Sequence, residues 1–170
     1  MRIIAGEFRG RRLEAPKGQG TRPTTDRVRE SLMSALNSAR GGFEDAVVLD
    51  AFAGSGGLGM ESLSRGAATA VFCEQGREAA SVIERNLRTL GLGRERARLV
   101  RGDVLKRLPM PTADGPFDLV FLDPPYASGL LEQALERLAA PGFDILAPYG
   151  IIVAEHPADR CLDVPAGCRL

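Results

Sequence analysis

Asp123-Pro124-Pro125-Tyr126 is the segment of this chain best equipped for chemistry. It follows Leu119-Val120-Phe121-Leu122, an apolar run that reads as a buried strand. The prolines fix φ and remove two N–H donors, so the turn is stiff and its carbonyls can accept hydrogen bonds. Asp123 adds carboxylate acceptors and Tyr126 a stacking face. Together they suit a flat base held by its amino group. The competing reading is a strand that simply leaves into a proline-stiffened turn.

Three further acids share its position. Asp50, Glu74 and Asp103 fall at or just after the ends of other apolar runs. Each alone suits a turn or a helix cap. Four carboxylates on one rim would repel one another without a ligand to meet. Gly54-Ser55-Gly56-Gly57-Leu58-Gly59 matches the spacing of a dinucleotide-binding loop, which makes a dehydrogenase the sensible rival. Asp50 argues against that rival. A pyrophosphate favours bare N–H groups at a helix N-terminus, with no carboxylate nearby. A ligand with a cationic head and no phosphate, such as S-adenosylmethionine, fits better. Glu74 can accept from both ribose hydroxyls and Asp103 from the adenine amine.

The elements that must position these groups alternate. Strands are expected over 46–49, 69–73, 97–101, 117–122 and 151–154. Helices are expected from about 57 to 65, 77 to 90 and 130 to 138. Ala80, Ile83 and Leu87 form the inward face of the second of these, and Gly91 stops it. Pro148-Tyr149-Gly150 reads as a turn before the last strand. Apolar strands alternating with helices predict an α/β, doubly wound, mostly parallel sheet covered on both faces, in which ligands meet the carboxyl ends of the strands. Ahead of it, Arg2-Ile3-Ile4-Ala5 and Arg11-Arg12-Leu13-Glu14 suggest a hairpin, and 16–23 a loop. Thr24 or Thr25 would then cap a helix reaching about Leu36, with Val28, Leu32, Ala35 and Leu36 inward. Residues 1–40 thus read as an extension and 41–170 as the sheet domain.

At 170 residues one domain is expected. Net charge is zero, but residues 1–29 hold eight basic side chains against three acidic ones. A basic arm on an acidic body suits a polyanion, and with Phe8 as its only aromatic the arm suits phosphate contacts rather than base stacking. A solvated surface hairpin is the alternative. Cys73, Cys161 and Cys168 form no CxxC pair and His156 is the only histidine, so a cytoplasmic protein without a structural metal is expected. No apolar run approaches bilayer-spanning length, and no apolar signal core follows the N-terminus, so no membrane partner is expected.

Asp50-Ala51-Phe52-Ala53-Gly54-Ser55-Gly56, Glu74, Asp103 and Asp123-Pro124-Pro125-Tyr126 together resemble class I S-adenosylmethionine-dependent methyltransferases of exocyclic amines. Arg22-Pro23-Thr24-Thr25-Asp26-Arg27-Val28-Arg29-Glu30 narrows this, with Ile4-Ala5-Gly6 and Arg9-Gly10-Arg11-Arg12-Leu13 before it. These segments resemble the bacterial RsmD family, which methylates N2 of one guanine in small-subunit (16S) ribosomal RNA. The resemblance covers nearly the whole chain.

It implies that Asp50, Phe52, Gly54, Gly56, Glu74, Gln75, Asp103, Val104 and Asp123 surround S-adenosylmethionine, with no metal. Asp123, Pro124, Pro125 and Tyr126 would handle the amine. Arg9, Arg11, Arg12, Arg22, Thr24 and Arg27 would meet RNA, with the segment 22–29 closing over the cofactor. For Arg27, pairing with the cofactor carboxylate and pairing with a local acid both stay open. The expected partner is 16S rRNA in a partly or fully assembled small subunit, and the expected state a monomer. A DNA adenine-N6 or cytosine-N4 methyltransferase shares the Asp-Pro-Pro-Tyr motif, and a noncatalytic RNA-binding protein could share the fold. The family ends in a C-terminal hairpin that would begin near Leu170, so a chain cut short, with its fifth strand at the sheet edge, is expected.

Overall fold

A computed structural model describes residues 1–16, 26–107, 116–125, 129–140, 145–159 and 161–170. Arg22, Thr24, Thr25 and Tyr126 lie outside the described residues, as does most of the loop expected over 16–23. The chain order is α1 (Asp26–Arg40), β1 (Val47–Asp50), α2 (Gly57–Ser64), β2 (Thr69–Glu74), α3 (Arg77–Leu90), β3 (Ala97–Arg101), α4 (Val104–Arg107), β4 (Phe117–Leu122), α5 (Leu130–Leu138) and β5 (Leu146–Ala154).

The five strands form one sheet in the order β3-β2-β1-β4-β5, and every pairing is parallel. Each strand sends successive side chains to opposite faces. Val48, Ala70, Phe72, Leu119 and Phe121 pack with Met33 and Leu36 of α1, Met60 and Leu63 of α2, and Ile83 and Leu87 of α3. Leu49, Val71, Val120 and Leu122 face the other way, onto Val104, Leu105, Leu131 and Leu135. Coverage on both faces explains why the strands read as continuous apolar runs.

The N-terminal residues belong to the first of these cores, because Ile3, Phe8 and Leu13 are buried in it. Glu61, with no exposed surface, ties them to α2. Its carboxylate accepts from the Ile4 N–H at 2.8 Å and the Ala5 N–H at 3.1 Å, and pairs with Arg65 at 2.9 Å and Arg29 at 3.8 Å. Ser64 Oγ accepts from the Phe8 N–H at 2.9 Å and donates to the Ala5 carbonyl at 2.6 Å.

The two N-terminal segments pair antiparallel, as the expected hairpin requires: Arg2 bridges Arg12, and the Ile3, Gly10 and Leu13 N–H groups donate to the Arg11, Ile3 and Met1 carbonyls, each at 2.9 Å. Two other expectations need correction. Helix α1 turns Arg29, Met33 and Leu36 inward, not Val28, which is 55% exposed, or Ala35. Arg29 takes the inward position because Asp26 and Glu61 compensate its charge there. Finally, β5 starts at Leu146 rather than 151. Phe117 pairs with Leu146 and Leu119 with Ile151, so Pro148-Tyr149-Gly150 bulges out within the strand, with Tyr149 at φ 64.

Candidate functional site

The sheet order places the four acids in a row. Asp103 follows β3, Glu74 ends β2, Asp50 ends β1 and Asp123 follows β4, and these strands are consecutive neighbours. The row is stepped. Asp50 pairs with Phe72 and Phe121, two residues short of Glu74 and Asp123. At the rise of a parallel strand it lies about 7 Å deeper. Asp50 is accordingly 3% exposed, while the other three are half-buried.

Depth sets the electrostatics. Burial pushes the Asp50 carboxyl up to about 7 against the lowering effect of the Gly59 N–H, and the charges of Asp123 and Glu74 push the same way as burial. Burial, then the neighbouring Glu155, raises Asp123 to about 6. Cys73, on β2, is pushed up to about 11 by burial and then Glu74, which keeps it a thiol.

Each acid also organises backbone. Asp50 Oδ2 accepts from the Gly59 N–H at 3.0 Å, holding the first turn of α2 in place. Glu74 accepts from the Gly54 N–H at 2.8 Å with one oxygen and the Gly76 N–H at 2.6 Å with the other. It thereby joins the turn after β1 to the turn after β2. Asp103 Oδ1 accepts from the Leu105 N–H at 3.0 Å and starts α4. An ionised carboxylate has about four acceptor sites, so these bonds leave capacity for a ligand.

The glycines of the turn have separate tasks. Gly54, at φ 55, has open space where a Cβ would point. A Cβ on Gly59 would sit 2.4 Å from the Phe72 ring, so α2 can lie against β2 only with glycine there. Phe52 is half-buried on the same turn and Gly56 is buried. Gln75 is exposed, and with Glu74, Arg77, Ala80, Arg101 and Gly102 it lines a recess of about 260 Å³ at the ends of β2 and β3. Val104 is buried in the core beneath the rim. Pro124 is buried and Pro125 exposed.

Arg9, Arg11, Arg12 and Arg27 are exposed, and among the described residues none of them forms an ion pair. The arm's acids are occupied, Glu14 with Arg85 at 2.8 Å and Glu7 with Arg96 at 3.0 Å. Its outer face is therefore left cationic. Sequence reasoning missed Asn86 and Glu155. Asn86 lies on the buried face of α3 and bonds both the arm and the Ser55 carbonyl. Its only signal was a polar residue at helical spacing with Ile83. Glu155 follows β5 directly, as Asp123 follows β4. Among the described residues no helix is long and apolar enough to cross a membrane, and no three His, Cys, Asp or Glu side chains are grouped to hold a metal ion.

A family model described as conserved hypothetical protein 95 matches residues 1–169. The chain is 42% identical to the ribosomal RNA small subunit methyltransferase D of Escherichia coli K12, over all of this chain and 82% of that protein. It is 39% identical to the Haemophilus influenzae protein of the same name, over all of this chain and 86% of the relative. A solved Escherichia coli structure, described as a candidate methyltransferase, yhhF, superposes with a TM-score of 0.82 at 41% identity, covering 98% of this chain and 86% of that one. With the Rossmann-like sheet and its acid rim, these matches show that the chain belongs to the RsmD family of small-subunit ribosomal RNA methyltransferases.

Proposed function

We propose that this protein transfers a methyl group from S-adenosylmethionine to the exocyclic N2 of a guanine in 16S ribosomal RNA of the small subunit. The observation that carries the reading is the row Asp103, Glu74, Asp50 and Asp123 at the carboxyl ends of four neighbouring strands, beside the open face of Gly54. The named relatives supply the substrate class.

The residues present fit the cofactor. An all-acid rim suits a cationic, hydroxyl-rich ligand and opposes a pyrophosphate. Glu74 would take the ribose hydroxyls, Asp103 the adenine amine, and the Gly54 turn, with Phe52 and Gly56, the close backbone approach. Gln75 and Val104 border these acids in sequence. Asp50, fixed to Gly59, acts on the ligand through the turn it holds and through its charge. The bound cofactor supplies an electrophilic methyl on a sulfonium, without a metal.

The chain's own work is on the amine. An exocyclic amine is a weak nucleophile because its lone pair is delocalised into the ring. Asp123 and the Pro124 carbonyl accept its two hydrogens, localise the lone pair and fix its direction. Positioning of this kind contributes up to roughly 7–11 kcal/mol. The ionised Asp123 then accepts the departing proton. Pro125 stiffens the turn, and Tyr126 offers a stacking face to a base taken out of its helix. Arg9, Arg11, Arg12, Arg22, Thr24 and Arg27 would grip phosphates, in the cytoplasm and on a partly or fully assembled particle.

The test is to map methylated nucleotides in small-subunit RNA from cells with and without the protein, and to follow labelled methyl transfer to undermethylated particles, naked rRNA and DNA. Loss of one N2-methylguanine, restored by the purified protein, is expected. Labelling of DNA with no change in rRNA would reject the reading.

A further inference from the structure

The register of β4 and β5 sets a second carboxylate beside Asp123. Leu122 pairs with Ala154, and the Glu155 N–H donates to the Leu122 carbonyl at 2.8 Å. Asp123 and Glu155 therefore leave adjacent parallel strands side by side. Their charges interact, since Glu155 is the cause after burial that raises the Asp123 carboxyl. Next to them lies a recess lined by Pro124, Leu131, Glu132, Glu155 and His156. It touches both the turn that handles the target amine and the second carboxylate. Two neighbouring carboxylates on one half-buried rim suit a ligand that presents two neighbouring N–H donors.

We propose that Glu155 is a specificity-determining residue for the base, accepting the guanine N1–H while Asp123 and the Pro124 carbonyl accept from N2. The inference rests on the reaction proposed above. Among the RNA bases, only guanine carries a ring N–H next to an exocyclic amine. Adenine presents the lone pair of N1 beside its amine, and cytosine the lone pair of N3. A carboxylate offers no hydrogen to either lone pair, so at Glu155 adenine and cytosine would set a nitrogen lone pair against oxygen. The Asp-Pro-Pro-Tyr turn selects a planar amine; Glu155 selects which one.

RNA carrying 2-aminopurine at the mapped target nucleotide is the probe. It keeps the N2 amine and replaces the N1–H with a lone pair. For the wild-type protein, kcat/KM on guanine should exceed that on 2-aminopurine by roughly 10- to 100-fold, the range for one well-placed polar contact to a base. In Glu155→Gln, whose amide can turn to donate or accept, the ratio should fall toward one, with S-adenosylmethionine binding by calorimetry unchanged. Equal wild-type rates on the two substrates overturn the proposal without needing any variant to fold. A ratio unchanged in Glu155→Gln also overturns it. Wild-type transfer to neither substrate overturns the underlying reaction and the inference with it.

Discussion

Asn86 and Glu14 exchange two hydrogen bonds: Asn86 Oδ1 accepts from the Glu14 N–H at 2.8 Å, and Asn86 Nδ2 donates to the Glu14 carbonyl at 3.1 Å. The same Nδ2 donates to the Ser55 carbonyl at 3.1 Å. One amide on α3, 1% exposed, thus joins the basic arm to the glycine turn. Asn86→Leu removes all three bonds and strands backbone groups of the arm. Urea denaturation should show a loss of about 2–4 kcal/mol. S-adenosylmethionine affinity should fall as well, because the Ser55 carbonyl loses its anchor; unchanged affinity would confine Asn86 to holding the arm.

Asp123 should set the acid limb of activity. It can take up the departing proton only when ionised, and burial together with Glu155 raises its carboxyl to about 6. Methyl transfer should therefore decline as pH falls through about 6. Asp123→Ala should abolish transfer while leaving cofactor binding measurable by calorimetry. A pH profile flat down to 5 would remove the carboxylate from the chemistry.

Asp50 should make the protein more stable at acid than at neutral pH. Its carboxyl holds a proton up to about 7 in the folded chain, against 3.8 as its ordinary value. Between those limits the native state binds more protons than the unfolded one, so this contribution is full below the lower value and lost as pH rises through the upper one. Asp50→Asn keeps an acceptor for the Gly59 N–H without the buried charge. It should raise stability at pH 8 by a few kcal/mol, on the order of one for each pH unit that separates the two values, and flatten the pH dependence. Denaturation of both proteins at pH 5 and pH 8 checks the sign.

Arg11 and Arg12 should act on RNA through charge alone. Both are exposed on the arm, away from its Glu7 and Glu14 ion pairs. Reversing both to Glu should weaken RNA binding and reduce the slope of log affinity against log salt, by roughly one for each phosphate no longer neutralised. Stability should be unaffected. An unchanged salt slope would move the RNA grip elsewhere.

Much of the site was legible in the sequence because strand ends are local signals. An apolar run followed by Asp50, Glu74, Asp103 or Asp123 marks where a strand stops, and a parallel α/β pattern brings such ends to one side. The Gly54–Gly59 spacing was equally readable. Other features depend on distant partners. Arg29 and Asn86 look like solvent-facing residues of two amphipathic helices; the first is buried with the Glu61 carboxylate 3.8 Å away and the second with hydrogen bonds to Glu14 and Ser55, all remote in sequence. The inward face of α1 and the start of β5 inside Pro148-Tyr149-Gly150 were misjudged for the same reason, since packing and pairing overrode local preference.

The sequence by itself determined the sheet class and the acids that end its strands, because residue type and spacing along one chain carry that information. Only the tertiary structure decided that Asp50 lies deeper than its neighbours, that Asn86 joins arm to turn, and that Glu155 stands beside Asp123. Those relations follow from strand register and helix docking, which place residues far apart in sequence within a few ångströms of each other.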